Sequence, residues 1–298
     1  MQNFEFYSAK SIEDCLDYLS ENKESCKVIA GGTDLIPVLR KEEIYPKYVL
    51  NILEIESLRG ITEEDDEIRI GPTTTFTELI ESEVLNHTLP LLVQAASCVG
   101  SPQIRNRGTI GGNIATASPA ADVLPAVLAL GGVLEIRSRQ SGSRLLPLAE
   151  AINAPYSIGL RPDEIITGLR IKKLPPGTRN GFEKLEPRKA MARALMNMSI
   201  VIHTNAKGII SELRIVPGAV MPVARRMEEA ERILLGKKPD SSLVHAAVEA
   251  LEEELLKVTG VRCPEYKMPV VKNIFRRGLE QLLWNNKTEK VTVQPLRH

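Results

Sequence analysis

Residues 101–122 read SPQIRNRGTIGGNIATASPAAD. Two arginines, three glycines and two prolines among small polar residues give loop chemistry rather than core chemistry. The cores are then left to the periodic segments on either side.

Before this stretch, Ser11 and Asp14 resemble a capping box, and Ile12, Leu16 and Leu19 follow at helical spacing, so residues 11–22 read as an amphipathic helix. Lys27 to Ala30 reads as a short strand that stops at Gly31-Gly32-Thr33-Asp34. A helix over Leu35–Arg40 and a strand over Tyr48–Ile52 complete a small βαβ start. Ile68 to Ile70 alternates as a strand, a short helix begins at Phe76, and Leu89 to Val99 reads as a longer buried helix.

After it, a helix over Val123–Leu130 precedes a hairpin of Val133–Arg139 and Arg144–Leu148, then a strand over Glu164–Lys173. Leu174-Pro175-Pro176-Gly177-Thr178 marks a domain boundary. Beyond it, Met198–Thr204 and Ile209–Val216 flank a turn as a second hairpin. Helices over 226–236, 241–258 and 269–285 follow, the last with Pro269 at its first position. The fold class is α+β, in three parts: 1–55 and 56–175 as subdomains of one domain, and 180–286 as a C-terminal domain with an antiparallel sheet and helices. Residues 287–298 read as a tail.

The chemistry lies in two glycine pairs. Gly31-Gly32-Thr33-Asp34 sits between a strand end and a helix start, where unpaired N–H groups and the positive helix end favour an anion such as a phosphate. Thr109-Ile110-Gly111-Gly112-Asn113 offers a second place for a ligand to approach the main chain, with Thr109 and Asn113 as side-chain donors. Two such loops could grip one pyrophosphate from both sides; the alternative for each is an ordinary turn. The chain has no GxGxxG and no GxxxxGK[ST], so neither a Rossmann fingerprint nor a P-loop accounts for the glycines.

Other chemistries are excluded more simply. Lys plus Arg and Asp plus Glu both number 38, so no net field is available to hold nucleic acid. Any anion must be bound by local geometry. Cys15, Cys26, Cys98 and Cys263 form no CxxC pair or cluster, and His87, His203, His245 and His298 are equally scattered. Reduced structural thiols are expected, with no zinc, iron-sulfur or histidine metal site. No stretch approaches the roughly 20 apolar residues of a membrane helix, and the start MQNFEFYSAK lacks a signal-peptide layout. No membrane insertion and a cytoplasmic location are expected.

Three motifs carry a family resemblance. Ala30-Gly31-Gly32-Thr33-Asp34-Leu35 is the first and Ile70-Gly71-Pro72-Thr73-Thr74-Thr75 the second. The third is Gln103 through Ile114, followed by Ser118-Pro119-Ala120-Ala121-Asp122. Together they closely resemble the FAD-binding medium subunit of the xanthine dehydrogenase and carbon monoxide dehydrogenase family of molybdenum hydroxylases. Arg161-Pro162-Asp163-Glu164-Ile165, Phe182-Glu183-Lys184 leading to Arg188, and Ala224-Arg225 with Ala230-Glu231 agree with it. The resemblance spans about residue 3 to 285. It implies the FAD-binding fold named for para-cresol methylhydroxylase and vanillyl-alcohol oxidase, with FAD between the first two subdomains.

Carried over by position, the resemblance implies cofactor roles. Ala30, Gly31, Gly32, Thr33, Asp34 and Leu35, with Thr109, Gly111, Gly112 and Asn113, would wrap the pyrophosphate and ribityl chain with backbone N–H groups. Thr116 and Asp122 would bind further polar atoms, Asp122 accepting from hydroxyls. Ile171 would border the flavin by side chain or backbone. Lys184 would stand close to the isoalloxazine as an electrostatic tuner, unless it is a solvated strand residue. Arg105 and Arg107 read either as cofactor contacts or as braces of loop carbonyls. No histidine lies near either loop, so FAD is expected to be non-covalent.

The same resemblance implies partners: a large molybdopterin subunit that oxidises a small molecule and a small 2Fe-2S subunit that passes electrons to this flavin, with NAD or another carrier as acceptor. The cysteine-bearing insertion of 4-hydroxybenzoyl-CoA reductase medium subunits is missing. The competing readings are a self-sufficient FAD oxidoreductase of the same broad fold, and a non-catalytic assembly protein that has kept the fold without flavin.

Overall fold

A computed structural model of the chain describes residues 3–186, 194–259 and 267–284. Arg188, Cys263, residue 285 and the tail 287–298 with His298 lie outside the described residues. Within them the chain forms two compact units, neither continuous in sequence. One comprises residues up to 86, 101–118 and 131–173; the other comprises 87–100, 119–130 and the residues from 174 onward.

The first unit contains a three-stranded parallel sheet in the order Glu5–Ser8, Tyr48–Asn51, Cys26–Ile29. Parallel neighbours require crossovers, and the helices Ile12–Asn22 and Leu35–Arg40 lie in the two connections. Ser11 caps the first helix by accepting from the Asp14 N–H at 3.1 Å. The face spaced by Cys15, Leu16 and Leu19 is buried with Leu50, Ile52 and Ile55. Complete burial of a Leu or Ile side chain contributes about 1.5–3 kcal/mol, so this face, more than propensity, holds an 11-residue helix in place.

A second sheet in the same unit is antiparallel, in the order Ile61–Glu63, Glu67–Ile70, Glu164–Lys172, Val133–Ser138, Gly142–Pro147. The hairpin expected between Val133 and Leu148 is present. Its central strand bulges between Ile166 and Gly168. Gly168 has no alternative there, because a Cβ would lie 2.1 Å from Glu135 Oε2. That carboxylate is held over the strand by Arg69 and Arg170.

The 101–122 segment departs from the loop expectation. It forms two short helices, Pro102–Arg105 and Ile110–Thr116. Ser101 and Thr109 cap them, accepting from Ile104 N–H at 3.3 Å and Gly112 N–H at 3.2 Å. Ile110 and Ile114 are completely buried. Tertiary bonds overrule the glycine-rich composition: Phe76 N–H donates to Gly108 O, Ile110 N–H to Thr74 O and Gly111 N–H to Pro72 O. The Gly71-to-Thr75 motif is therefore the backbone template of the second glycine loop.

In the second unit an antiparallel sheet has Met196–Thr204 in the middle, between Arg179–Leu185 and Ile210–Gly218. Side chains alternate between its faces. Met196, Met198, Ile200 and Ile202 share one core with the helices Glu228–Leu234, Ser241–Thr259 and Met268–Trp284. Pro269 is the second rather than the first residue of the last helix. The intervening residues Asn197, Ser199 and Val201 are also completely buried. Their side of the sheet is covered by the helices Pro90–Ser97 and Val123–Ala129, which pack on its strands and on each other.

Candidate functional site

In the first unit the two glycine loops adjoin. A Cβ on Gly31 would lie 1.8 Å from Arg107 O, so the first loop crosses the segment leading into the second at backbone contact. Gly32 has φ +73°, a conformation that favours glycine. Among the described residues nothing accepts from the N–H groups of Gly31, Gly32, Thr33, Asp34 or Leu35. Asp34 stands at the N-cap of the following helix without a side-chain cap bond. Five open donors at an uncapped, partly exposed helix start favour an anion.

The second loop differs. Ile110 and Gly111 donate to Thr74 O and Pro72 O at 3.0 and 2.9 Å, Gly112 to Thr109 Oγ1 at 3.2 Å, and Asn113 to Thr109 O at 3.0 Å. The N–H groups of Gly111, Gly112 and Asn113, expected to wrap a pyrophosphate, are thus engaged by the protein. Thr109 Oγ1 accepts in its cap and is 3% exposed, with its own O–H still able to donate. Gly111 is required by packing, because a Cβ would meet Pro72 Cβ at 2.4 Å. At Gly112 a Cβ would press on Thr109 Oγ1 alone, at 3.0 Å, so this glycine is less hemmed in than Gly111. Beside it, Asn113 Oδ1 is buried with no partner among the described residues.

Thr116 links the loops. Its hydroxyl lies 2.8 Å from Gly112 O and 3.3 Å from Asp34 Oδ2. One hydroxyl proton serves the shorter contact, which leaves the exposed Asp34 carboxylate able to accept from another donor. Ala30 packs beside the first core. Ile171, paired with Ile68 on the neighbouring strand, is completely buried.

Asp122 and Lys184 lie in the second unit. Lys184 is not the solvated strand residue of the alternative reading: it is 8% exposed, and its Nζ donates to Asp122 Oδ2 and Cys98 O, both at 2.8 Å. Glu186 Oε2 is 3.3 Å away. Asp122 Oδ1 accepts from Asn197 Nδ2 at 3.2 Å. The side-chain partners of Asp122 are thus an ammonium and an amide rather than hydroxyls. Burial raises the Asp122 carboxyl, and Lys184 offsets this only in part. Burial alone would lower the Lys184 ammonium, but the carboxylates of Asp122 and Glu186 more than offset it and hold its pKa above the usual value. Lys184 thus keeps its positive charge in a buried place, balanced by the Asp122 carboxylate.

Asn197 was not legible as a site residue. In MNMSIVIHT, polar residues alternating with apolar ones read as the wet face of a strand, yet Asn197 and Ser199 are both fully buried. Elsewhere, burial pushes the Cys15 thiol up to about 12 and the Cys26 thiol up to about 11, and both are free. Among the described residues no group of His, Cys, Asp or Glu could hold a metal ion, and no helix is long and apolar enough to cross a membrane.

Comparison with known proteins places this geometry in context. The FAD binding domain family of molybdopterin dehydrogenases matches residues 2–173, and the C-terminal domain family of CO dehydrogenase flavoproteins matches residues 182–282. The chain is 31% identical to the 6-hydroxypseudooxynicotine dehydrogenase complex subunit alpha of Paenarthrobacter nicotinovorans, covering 94% of this chain and 95% of the relative. It is 28% identical to the xanthine dehydrogenase FAD-binding subunit of Escherichia coli O157:H7, covering 93% and 94%. Its structure resembles a chain of the carbon monoxide dehydrogenase from Hydrogenophaga pseudoflava that lacks the Mo-pyranopterin moiety, with TM-score 0.87, 30% identity and coverage of 94% and 97%.

Proposed function

The chain belongs to the FAD-binding medium subunits of molybdenum hydroxylases, and on that premise we propose that it is the electron relay of such a complex. It accepts electrons from 2Fe-2S clusters of a small partner subunit and delivers them to NAD or another acceptor, while a large molybdopterin subunit oxidises the substrate. The fold assigned to its FAD-binding part is that of para-cresol methylhydroxylase and vanillyl-alcohol oxidase.

The observation that carries the cofactor assignment is the row of open N–H groups from Gly31 to Leu35 at an uncapped helix start. Ala30, Gly31, Gly32, Thr33 and Leu35 would hold the pyrophosphate there. A carboxylate repels phosphate, so Asp34 would serve hydroxyls, together with Thr116. The bare Cα of Gly112, framed by Thr109 and Gly111, would let the ligand approach the second loop. There the unpartnered Asn113 Oδ1 seeks a donor such as a sugar or ribityl hydroxyl. Asp122, Ile171 and Lys184 complete the proposed set on the strength of the resemblance, Lys184 supplying a fixed positive charge. Bound FAD exchanges electrons singly with one partner and in pairs with another; the protein's residues hold it, orient it and bias its charge.

None of the four histidines belongs to either loop, so attachment is non-covalent. Acid precipitation of the purified full chain should leave the yellow chromophore in the supernatant, and FAD titrated back should restore flavin absorbance with saturation at one per chain. Colour retained in the pellet, or no saturable binding, would overturn the cofactor assignment.

A further inference from the structure

Across the second unit's sheet, Lys184, Asn197 and Gly218 stand in one row, each paired in register with the next. We infer that Asn197 is a positioning residue for Lys184: it clamps the Asp122 carboxylate that holds the ammonium, and Gly218 leaves the room its amide needs. The inference rests on the reading of Lys184 as a flavin residue.

Chemistry decides the amide's orientation. Its Nδ2 lies 3.2 Å from both Asp122 Oδ1 and Ala121 O. Both are acceptors, so a reversed amide would set oxygen against oxygen at two contacts. Asn197 Oδ1 must therefore point the other way, where it is buried without a partner among the described residues. A buried acceptor with no donor is a standing cost. Val201, on the same face of the same strand, is the aliphatic side chain that stability alone would favour.

Gly218 shows the same accommodation. Its φ is not positive, so backbone conformation does not demand glycine. A Cβ there would meet Asn197 Oδ1 at 2.2 Å and Pro125 Cγ at 2.5 Å. Pro125 belongs to the helix that starts beside Asp122. The missing side chain thus lets the amide and the start of that helix fit at once. The groups facing the Asp122 carboxylate are Lys184, Asn197 and, near the ammonium, Glu186 and Cys98. Of these, Asn197 is the neutral donor, and it stabilises the ionised carboxylate without competing for its proton.

The test follows Asp122 by 13C NMR in the full apo chain over pH, so it needs no flavin. Replacing the amide in Asn197→Leu removes one donor from the carboxylate and should raise its midpoint by about one pH unit. Gly218→Ala, which keeps every polar group but displaces the amide, should raise it in the same direction. In the wild type, the Asn197 side-chain amide resonances should shift with the same midpoint as Asp122, a readout that survives even if both variants fail to fold. Unchanged Asp122 titration in a folded variant, or amide resonances indifferent to it, would overturn the inference.

With FAD bound, Asn197→Leu should move the pH dependence of the flavin potential in the direction that Lys184→Met does. If Lys184→Met leaves the potential unmoved, the flavin role of Lys184 fails while the clamp still stands or falls on the Asp122 titration. If Lys184→Met moves it and Asn197→Leu does not, the clamp has no bearing on the flavin and the inference fails.

Discussion

At the scale of single residues, the four glycines of the two loops do different work. Gly31 and Gly111 are demanded by neighbouring backbone and by Pro72 and Gly32 by its positive φ, while at Gly112 a Cβ would press only on the Thr109 hydroxyl. Gly31→Ala should therefore destabilise the chain in a denaturant titration by about 1–3 kcal/mol, toward the upper end, because the obstructing Arg107 carbonyl belongs to the main chain. Gly112→Val should cost about 1 kcal/mol, by pressing on the Thr109 cap, yet abolish FAD binding. Equal flavin affinity of Gly112→Val and wild type would make the second loop a plain turn. Lys184→Met should cost about 3–5 kcal/mol at neutral pH, because it strands a buried carboxylate. The Lys184 pKa is raised on folding, so its contribution is present below the ordinary lysine range and is lost as pH rises through the folded value. Alkaline melts of wild type and Lys184→Met should accordingly converge.

At the scale of elements, the first strand-helix-strand unit, the Val133 hairpin and the C-terminal helices were legible because each buries one periodic face. Residues 101–122 were not, because their helices depend on Pro72 and Thr74, some 40 residues distant, and composition carries no trace of that partner. The strands Glu5–Ser8 and Ile61–Glu63 also escaped notice; they are edge strands, whose pairing on one side leaves a weak pattern. The glycine loops were legible as a ligand site, but which of their N–H groups stay open was not, since that depends on tertiary acceptors. The central strand Glu164–Lys172 offers a test of its own. Glu164 receives both Arg144 Nε and Nη2 at 2.8 Å, with the Arg161 N–H also at 2.8 Å. Arg144 holds its carboxyl below the usual range. A depressed carboxyl stabilises the fold above its unfolded pKa and loses that contribution as pH falls through the folded value. Glu164→Gln should thus lower stability by about 1–3 kcal/mol at neutral pH, with the gap to wild type narrowing on acidification below about pH 4. A gap independent of pH would show that Glu164 acts only by packing.

At the scale of the whole molecule, the two family matches cover residues 2–173 and 182–282, and the relatives are matched over nearly their full lengths. No cysteine pairing suited to an iron-sulfur cluster is present in the sequence, and no metal group is found among the described residues. The relay account therefore places substrate oxidation outside this chain. Its most direct test is anaerobic bleaching of the flavin absorbance by the oxidisable substrate of the complex, followed with the full chain alone and with the large and small subunits added. The account predicts no substrate-dependent bleaching of the isolated chain, ready bleaching by a chemical reductant, and rapid substrate-dependent bleaching once both partners are present. Bleaching of the isolated chain by substrate at the rate of the assembled complex would contradict it.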